Sequence, residues 1–209
     1  MNARDQILKA ADKLFGKVGF DAATTREIAE LSGVNKALIH YHFKSKEELF
    51  EKVLDRYYER LNETLEEALE QEATWRDRMR RLIDVYVDFL ANNLNFSRIV
   101  QRESSGGEHL DRISAHLSPM FERTVKLLDE AYPRSRNSAL AAHHLLVSFY
   151  GMIVTYFTYN SVLGRLVKRN PLSGKEIESR KRHLHMMLDL VEKGLREEQA
   201  GKHMERQHG

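Results

Sequence analysis

TTREIAELSGVNKALIHYHF, residues 24–43, holds two short helical patterns separated by one glycine. Thr24 can accept a hydrogen bond from the Glu27 amide while Glu27 reaches back to the Thr24 amide, a capping box that starts a helix at residue 25. Ile28, Ala29 and Leu31 are its expected buried side. Gly33 supplies the permissive residue past the helix end, and Asn35 is a good N-cap for a further helix over residues 36–43. In that helix Leu38, Ile39 and Phe43 are the apolar anchors, which leaves His40, Tyr41 and His42 outward. Upstream, Ile7, Ala10, Ala11, Leu14, Phe15 and Val18 recur at helical spacing and end near Gly16 and Gly19. Two short helices joined by a glycine turn and crossed by a supporting helix form a helix-turn-helix.

Downstream the helices lengthen. Ser45 caps a fourth, with Glu47 and Glu48 in its first turn and apolar residues from Leu49 to Leu65. A break is expected at 71–74, a fifth helix around Trp75 to Leu90 and a sixth over 96–103. The run Ser104-Ser105-Gly106-Gly107 reads as a loop. A seventh helix over 108–131 is expected to break or restart at Pro119. The eighth covers 137–163 and the ninth 174–197, leaving 199–209 as a polar, frayed tail. The class is therefore all-α, with about nine helices.

Composition agrees. Three prolines and eleven glycines in 209 residues fall below the roughly ten and fifteen of average usage. The absence of cysteine excludes disulfide scaffolds, thiolate metal sites and thiol catalysis. The start, MNARDQILKAADKLF, lacks the apolar core of an export signal. The most apolar stretch, residues 145–159, contains Ser148, Gly151, Thr155 and Thr158 and is shorter than the roughly 20 residues of a spanning helix. A cytoplasmic protein with no membrane partner is the expectation.

Residues 1–46 carry eight Lys and Arg against five acids, net +3, while the remainder is slightly acidic. The third helix opens with Lys36 and the small Ala37, which lets a backbone approach base edges, and continues with side chains able to donate to phosphates. DNA is thus the partner these residues suit.

Residues 20–50, FDAATTREIAELSGVNKALIHYHFKSKEELF, closely resemble the DNA-binding signature of TetR-family (TetR/AcrR-like) transcriptional regulators. The resemblance implies that Thr25, Arg26, Lys36, Ala37, Tyr41, His42 and Lys46 lie at the DNA, with Lys36 and Ala37 near base edges and the others mainly on phosphates. Asn35 and His40 depart from the family pattern, which favours serine or threonine and an aromatic there; His40 is expected as a surface donor. The family also implies a palindromic double-stranded operator and a homodimer, here through the eighth and ninth helices.

The implied domains are a helix-turn-helix over 1–46, a helical ligand-binding and dimerisation domain over 47–198 and the tail. Residues 145–157 are apolar almost all round, so the eighth helix needs partners on at least two sides. Tyr86, Phe89, Leu90, Ile99, Phe121, Phe149, Tyr150, Ile153, Tyr156 and Phe157 offer the aromatic, apolar lining of a small-molecule effector site, and Glu103 a charge beside it. Repression relieved by an apolar or aromatic effector is the expected function. The alternative is a ligand-independent dimeric DNA-binding protein or an activator.

Enzyme motifs are missing: HExxH, GxSxG, a Walker loop and GxGxxG do not occur. His40/His42, His143/His144 and His183/His185 lack the three- or four-residue spacing that aligns metal ligands on a helix. No catalytic group, cofactor or metal is expected.

Overall fold

The computed structural model describes residues 2–70, 74–103 and 109–205. Among them are ten α-helices and no strand: α1 (Ala3–Val18), α2 (Thr25–Ser32), α3 (Lys36–His42), α4 (Lys46–Glu70), α5 (Trp75–Asn92), α6 (Leu94–Glu103), α7 (Leu110–Ala131), α8 (Ala142–Thr158), α9 (Asn160–Val167) and α10 (Gly174–Glu205). A 3₁₀ segment, Pro133–Asn137, precedes α8. The chain forms two compact units, Met1–Asn62 with Asn93–Ile113, and Glu63–Asn92 with Ser114–Gly209. Of the expected break at 71–74, residues 71–73 lie outside the described residues, as does the loop at 104–107.

The first unit is built on α1. Ile7, Ala11 and Phe15 are fully buried, and the rings of Phe15, Phe20 and Phe50 meet, with Phe15 and Phe50 edge to face at 5.0 Å. His109 closes this cluster, its ring 4.5 Å from that of Phe50 and 4.9 Å from that of Phe20. At Gly16 a Cβ would come within 2.6 Å of the Asn95 side chain, so a glycine lets α1 and α6 approach. Asp12 ties three helices together, accepting from the Tyr57 hydroxyl at 2.6 Å and from Asn95 Nδ2 at 3.1 Å. Burial, reinforced by that Asp12 bond, pushes the Tyr57 hydroxyl far above the usual phenol range. Arg112 forks onto Asp55, its Nη2 at 2.8 Å from each oxygen, and reaches Glu51 at 3.2 Å. Two side chains expected inside are not: Val18 is 38% exposed and Leu31 50%. Each lies at the last turn of its helix, past the packed surface, and α2 buries Ile28 alone.

In the second unit α5 and α10 are joined by ion pairs. Asp189 receives Arg76 and Arg80, each at 2.7 Å. Partial burial raises the Asp189 carboxyl, but the hydrogen bonds from the two arginines outweigh it and hold it below the usual carboxylate range. The buried Glu192 is met by Arg76, Arg196 and the Tyr132 hydroxyl. Lys181 bonds Asp88 at 2.8 Å.

Three boundaries correct the sequence reading. First, α7 runs unbroken through Pro119. The carbonyl that the proline leaves without an amide donor belongs to Ala115, an exposed residue, and Ser118 Oγ bonds the Ser114 carbonyl beside it. Second, the expected eighth helix divides: its first residue, Asn137, ends the 3₁₀ segment, α8 begins only at Ala142 and stops at Thr158, and the separate α9 ends on Lys168 in the left-handed region at φ 52°. Third, α10 continues to Glu205 into the expected tail. Ser138 Oγ bonds Glu198 at 2.8 Å and the Arg134 guanidinium donates to the Gln199 carbonyl, so the 3₁₀ segment anchors the helix there.

Candidate nucleic-acid interface and ligand region

The recognition segment folds as its caps dictate. The Glu27 amide donates to Thr24 Oγ1 at 3.2 Å and the Thr24 amide to Glu27 Oε2 at 3.0 Å, completing the capping box. Those Thr24 hydrogen bonds, side chain first and then backbone, hold the Glu27 carboxyl below its ordinary range. Gly33 takes φ 70° at the end of α2, a conformation that costs a side-chain-bearing residue about 1–2 kcal/mol. Asn35 Oδ1 then accepts from the Ala37 amide at 2.9 Å and starts α3.

With Ile39 and Phe43 buried, one face of α3 is held inward. Leu38, expected as a third anchor, is only half-buried. Lys36, Ala37, His40 and Tyr41 are exposed, and Tyr41 is 81% so despite its large ring. His42 is half-buried, its ring edge-on to Tyr41 at 5.1 Å. On α2 Thr25 is half-buried, and the exposed Arg26 pairs with Glu30 at 3.1 Å, a surface contact weak enough to exchange for a phosphate. Lys46, expected on a phosphate, already has partners within the first unit. Its ammonium donates to the carbonyls of Phe20, Asp21 and Ala23 at 3.0, 3.4 and 3.3 Å and lies 4.2 Å from the centre of the Phe20 ring. It fixes the segment between α1 and α2 instead of standing free at the surface.

The residues named for a ligand site fall in both units. Ile99 and Glu103 are buried in the first. In the second, Phe89, Leu90, Ile153 and Phe157 are buried, and Tyr86, Phe149 and Tyr156 are half-buried. Tyr86 stacks on Tyr150 at 6.3 Å, and burial against neighbouring groups raises the Tyr150 hydroxyl. Tyr150 and Phe121 keep 39% and 41% of their surface open. Among the described residues no group of three or more His, Cys, Asp or Glu could hold a metal, and no helix is long and apolar enough to cross a membrane.

The family model for bacterial regulatory proteins of the tetR family matches residues 7–53, which contain the whole helix-turn-helix, and the tetracyclin repressor-like C-terminal domain model matches residues 76–191. The chain belongs to the TetR family. It is 34% identical over 176 residues to a Bacillus subtilis protein described as "Probable HTH-type transcriptional regulator YttP", covering 82% of this chain and 84% of that one. The HTH-type transcriptional repressor NicS of Pseudomonas putida is 28% identical over 196 residues, covering 92% of each. The structure of the ketosteroid transcriptional regulator KstR2 of Mycobacterium tuberculosis shares the fold, with a TM-score of 0.72, 18% identity and coverage of 90% and 94%. This TetR-family protein is a transcriptional regulator with a DNA-binding domain, and its family is one of regulators, not enzymes.

Some side chains that position the regulator's reading head carry no sequence signal. Arg4 lies 5.5 Å from the Phe43 ring and covers the end of α3 against α1. Lys46 and His109 likewise act through partners 23 or more residues away, which periodicity and capping rules do not reach.

Proposed function

We propose that this TetR-family chain is a homodimeric repressor that binds a palindromic operator in the cytoplasm and is released by a small, mainly apolar or aromatic effector. The observation that carries the reading is the surface of α3: a large ring left 81% exposed at Tyr41, beside Lys36 and the small Ala37, on a helix whose other side is anchored. Thr25, Arg26, His40 and His42 supply phosphate contacts around that centre. Residues 1–46 form the reading head and 47–198 the effector and dimerisation part.

The second copy docks on α8 and α10, the counterparts of the expected eighth and ninth helices. Val147 on α8 and Met186 and Leu190 on α10 are each at least half exposed. The last two lie four residues apart beside the exposed His183, which gives α10 a stripe one face wide. The effector is received by Tyr86, Phe89, Leu90, Phe121, Phe149, Tyr150, Ile153, Tyr156 and Phe157. Two recognition helices of a dimer enter successive major grooves when their centres are about 34–36 Å apart. An effector that prefers a conformation with another spacing weakens operator binding by its differential affinity for the two states.

Selection of genomic fragments retained by the purified protein tests both halves of the reading. A palindrome with half-sites about one helical turn apart is expected to be enriched, and apolar aromatic compounds that raise the protein's melting temperature are expected to elute it. Retention of no sequence, or of an unrepeated one, contradicts the dimeric operator reading. Retention that no stabilising compound reverses contradicts the effector reading alone.

A further inference from the structure

In the second unit of the regulator, Arg76, Arg80, Arg196 and Lys181 each sit within 2.7 Å of a carboxylate oxygen. Arg180 has no such partner among the described residues. One of its terminal nitrogens donates to the Met152 backbone carbonyl at 2.6 Å, and the guanidinium lies 5.2 Å from the centre of the Tyr156 ring. Its Nε is fully buried and has no hydrogen-bond partner among the described residues.

The acids nearest to it along α10 are engaged elsewhere. Glu176, one turn before it, pairs with Arg169 at 3.6 Å, and Glu178 pairs with Lys181 at 3.1 Å. Tyr156, the ring beneath the guanidinium, spends its hydroxyl on the Pro171 carbonyl at 2.7 Å. Burial accordingly pulls the guanidinium below the ordinary arginine range, with only Tyr156 opposing it. A half-buried, desolvated cation that no local acid neutralises is costly to keep.

The position of this charge gives it a use. Met152 and Tyr156 flank Ile153 and Phe157, the buried pair of α8 in the proposed effector region. We infer that Arg180 is the anion-receiving group of that region and that the effector is an amphiphilic acid, one carboxylate on an aromatic or aliphatic body. The inference rests on the effector reading above and narrows it. A carboxylate matches the guanidinium fork through two parallel N–H···O bonds, which a backbone carbonyl cannot do. On binding, the guanidinium turns from the Met152 carbonyl to the effector, and the buried Nε–H gains its first acceptor. The apolar body lies against Tyr156, Ile153 and Phe157.

Titration calorimetry of the full chain tests this with two pairs of probes, 4-phenylbutyrate against 4-phenylbutan-1-ol and decanoate against decan-1-ol. The acids are expected to bind at least tenfold more tightly than their alcohols. Arg180→Gln is expected to erase that preference while leaving the alcohols within about threefold of their original affinity, and Arg180→Lys to keep part of it. Equal binding of acid and alcohol by the unaltered protein overturns the anion site and leaves the effector reading intact. Failure of all four probes to bind overturns both. A Gln variant that keeps the acid preference also overturns the assignment. So does one whose dimer dissociates more than tenfold more readily with that preference unchanged, since the missing acid then belongs to a second copy.

Discussion

A Lys36→Ala/Tyr41→Ala double variant is expected to lose operator binding by on the order of a hundredfold or more while remaining folded and dimeric. Both side chains stand at the surface of α3, and neither belongs to the buried set led by Ile39 and Phe43. Surface substitutions of this kind change stability by about 0.5 kcal/mol or less. A contact to a base edge is worth about 1–3 kcal/mol, a dimer loses it at two half-sites, and each 1.4 kcal/mol is a factor of ten. Gel retardation at fixed salt reads the loss, and analytical ultracentrifugation reads the dimer. Undiminished retention by the double variant places the DNA contact elsewhere, and loss of the dimer makes the two residues structural.

Phe50→Ala is expected to be the most damaging single truncation in the first unit, at about 3–5 kcal/mol. The side chain is fully buried, and its ring meets Phe15 and Phe20 at 5.0 Å and His109 at 4.5 Å. Through it α4 grips α1, the segment after α1 and the start of α7, so a cavity there has no single wall that can collapse to fill it. A domain's whole stability is about 5–15 kcal/mol, which makes this loss a large fraction. Phe50→Leu retains most of the volume and is expected to cost about 1.5 kcal/mol or less. Urea denaturation of the three proteins checks the order. A loss below about 1 kcal/mol for the alanine variant contradicts the central place of the ring.

The helix-turn-helix was legible because its determinants are local. Thr24 with Glu27, Gly33 and Asn35 act across at most three residues, and each does in the structure what its chemistry announces. The head's interior was less so: Leu31 has the right spacing to be buried, yet α2 is too short to carry it against α1. In the second unit the boundaries failed where tertiary anchors decide them. Residues 137–163 read as one apolar helix, but the chain turns at Tyr159, a break marked by neither proline nor glycine. Pro119, the strongest local breaker in α7, does not break it, and the residue whose carbonyl loses its donor, Ala115, is exposed. The unpaired state of Arg180 was invisible for a related reason: Glu176 stands four residues before it, the spacing of a helical ion pair, and only the fold sends that acid to Arg169.

The engagement of Lys46 also sets how the regulator responds to ionic strength. A lysine whose N–H donors are spent on three backbone carbonyls is not poised to neutralise a phosphate. If it stays so engaged on the operator, each head is expected to release one counterion fewer than its count of basic residues suggests, and operator titrations across a salt series are expected to show a slope of log K against log salt shallower by about 0.9 per head. An operator bound with less ion release is expected to hold its occupancy better as salt rises, so ionic strength alone loosens the proposed DNA contact less than the head's basic composition implies.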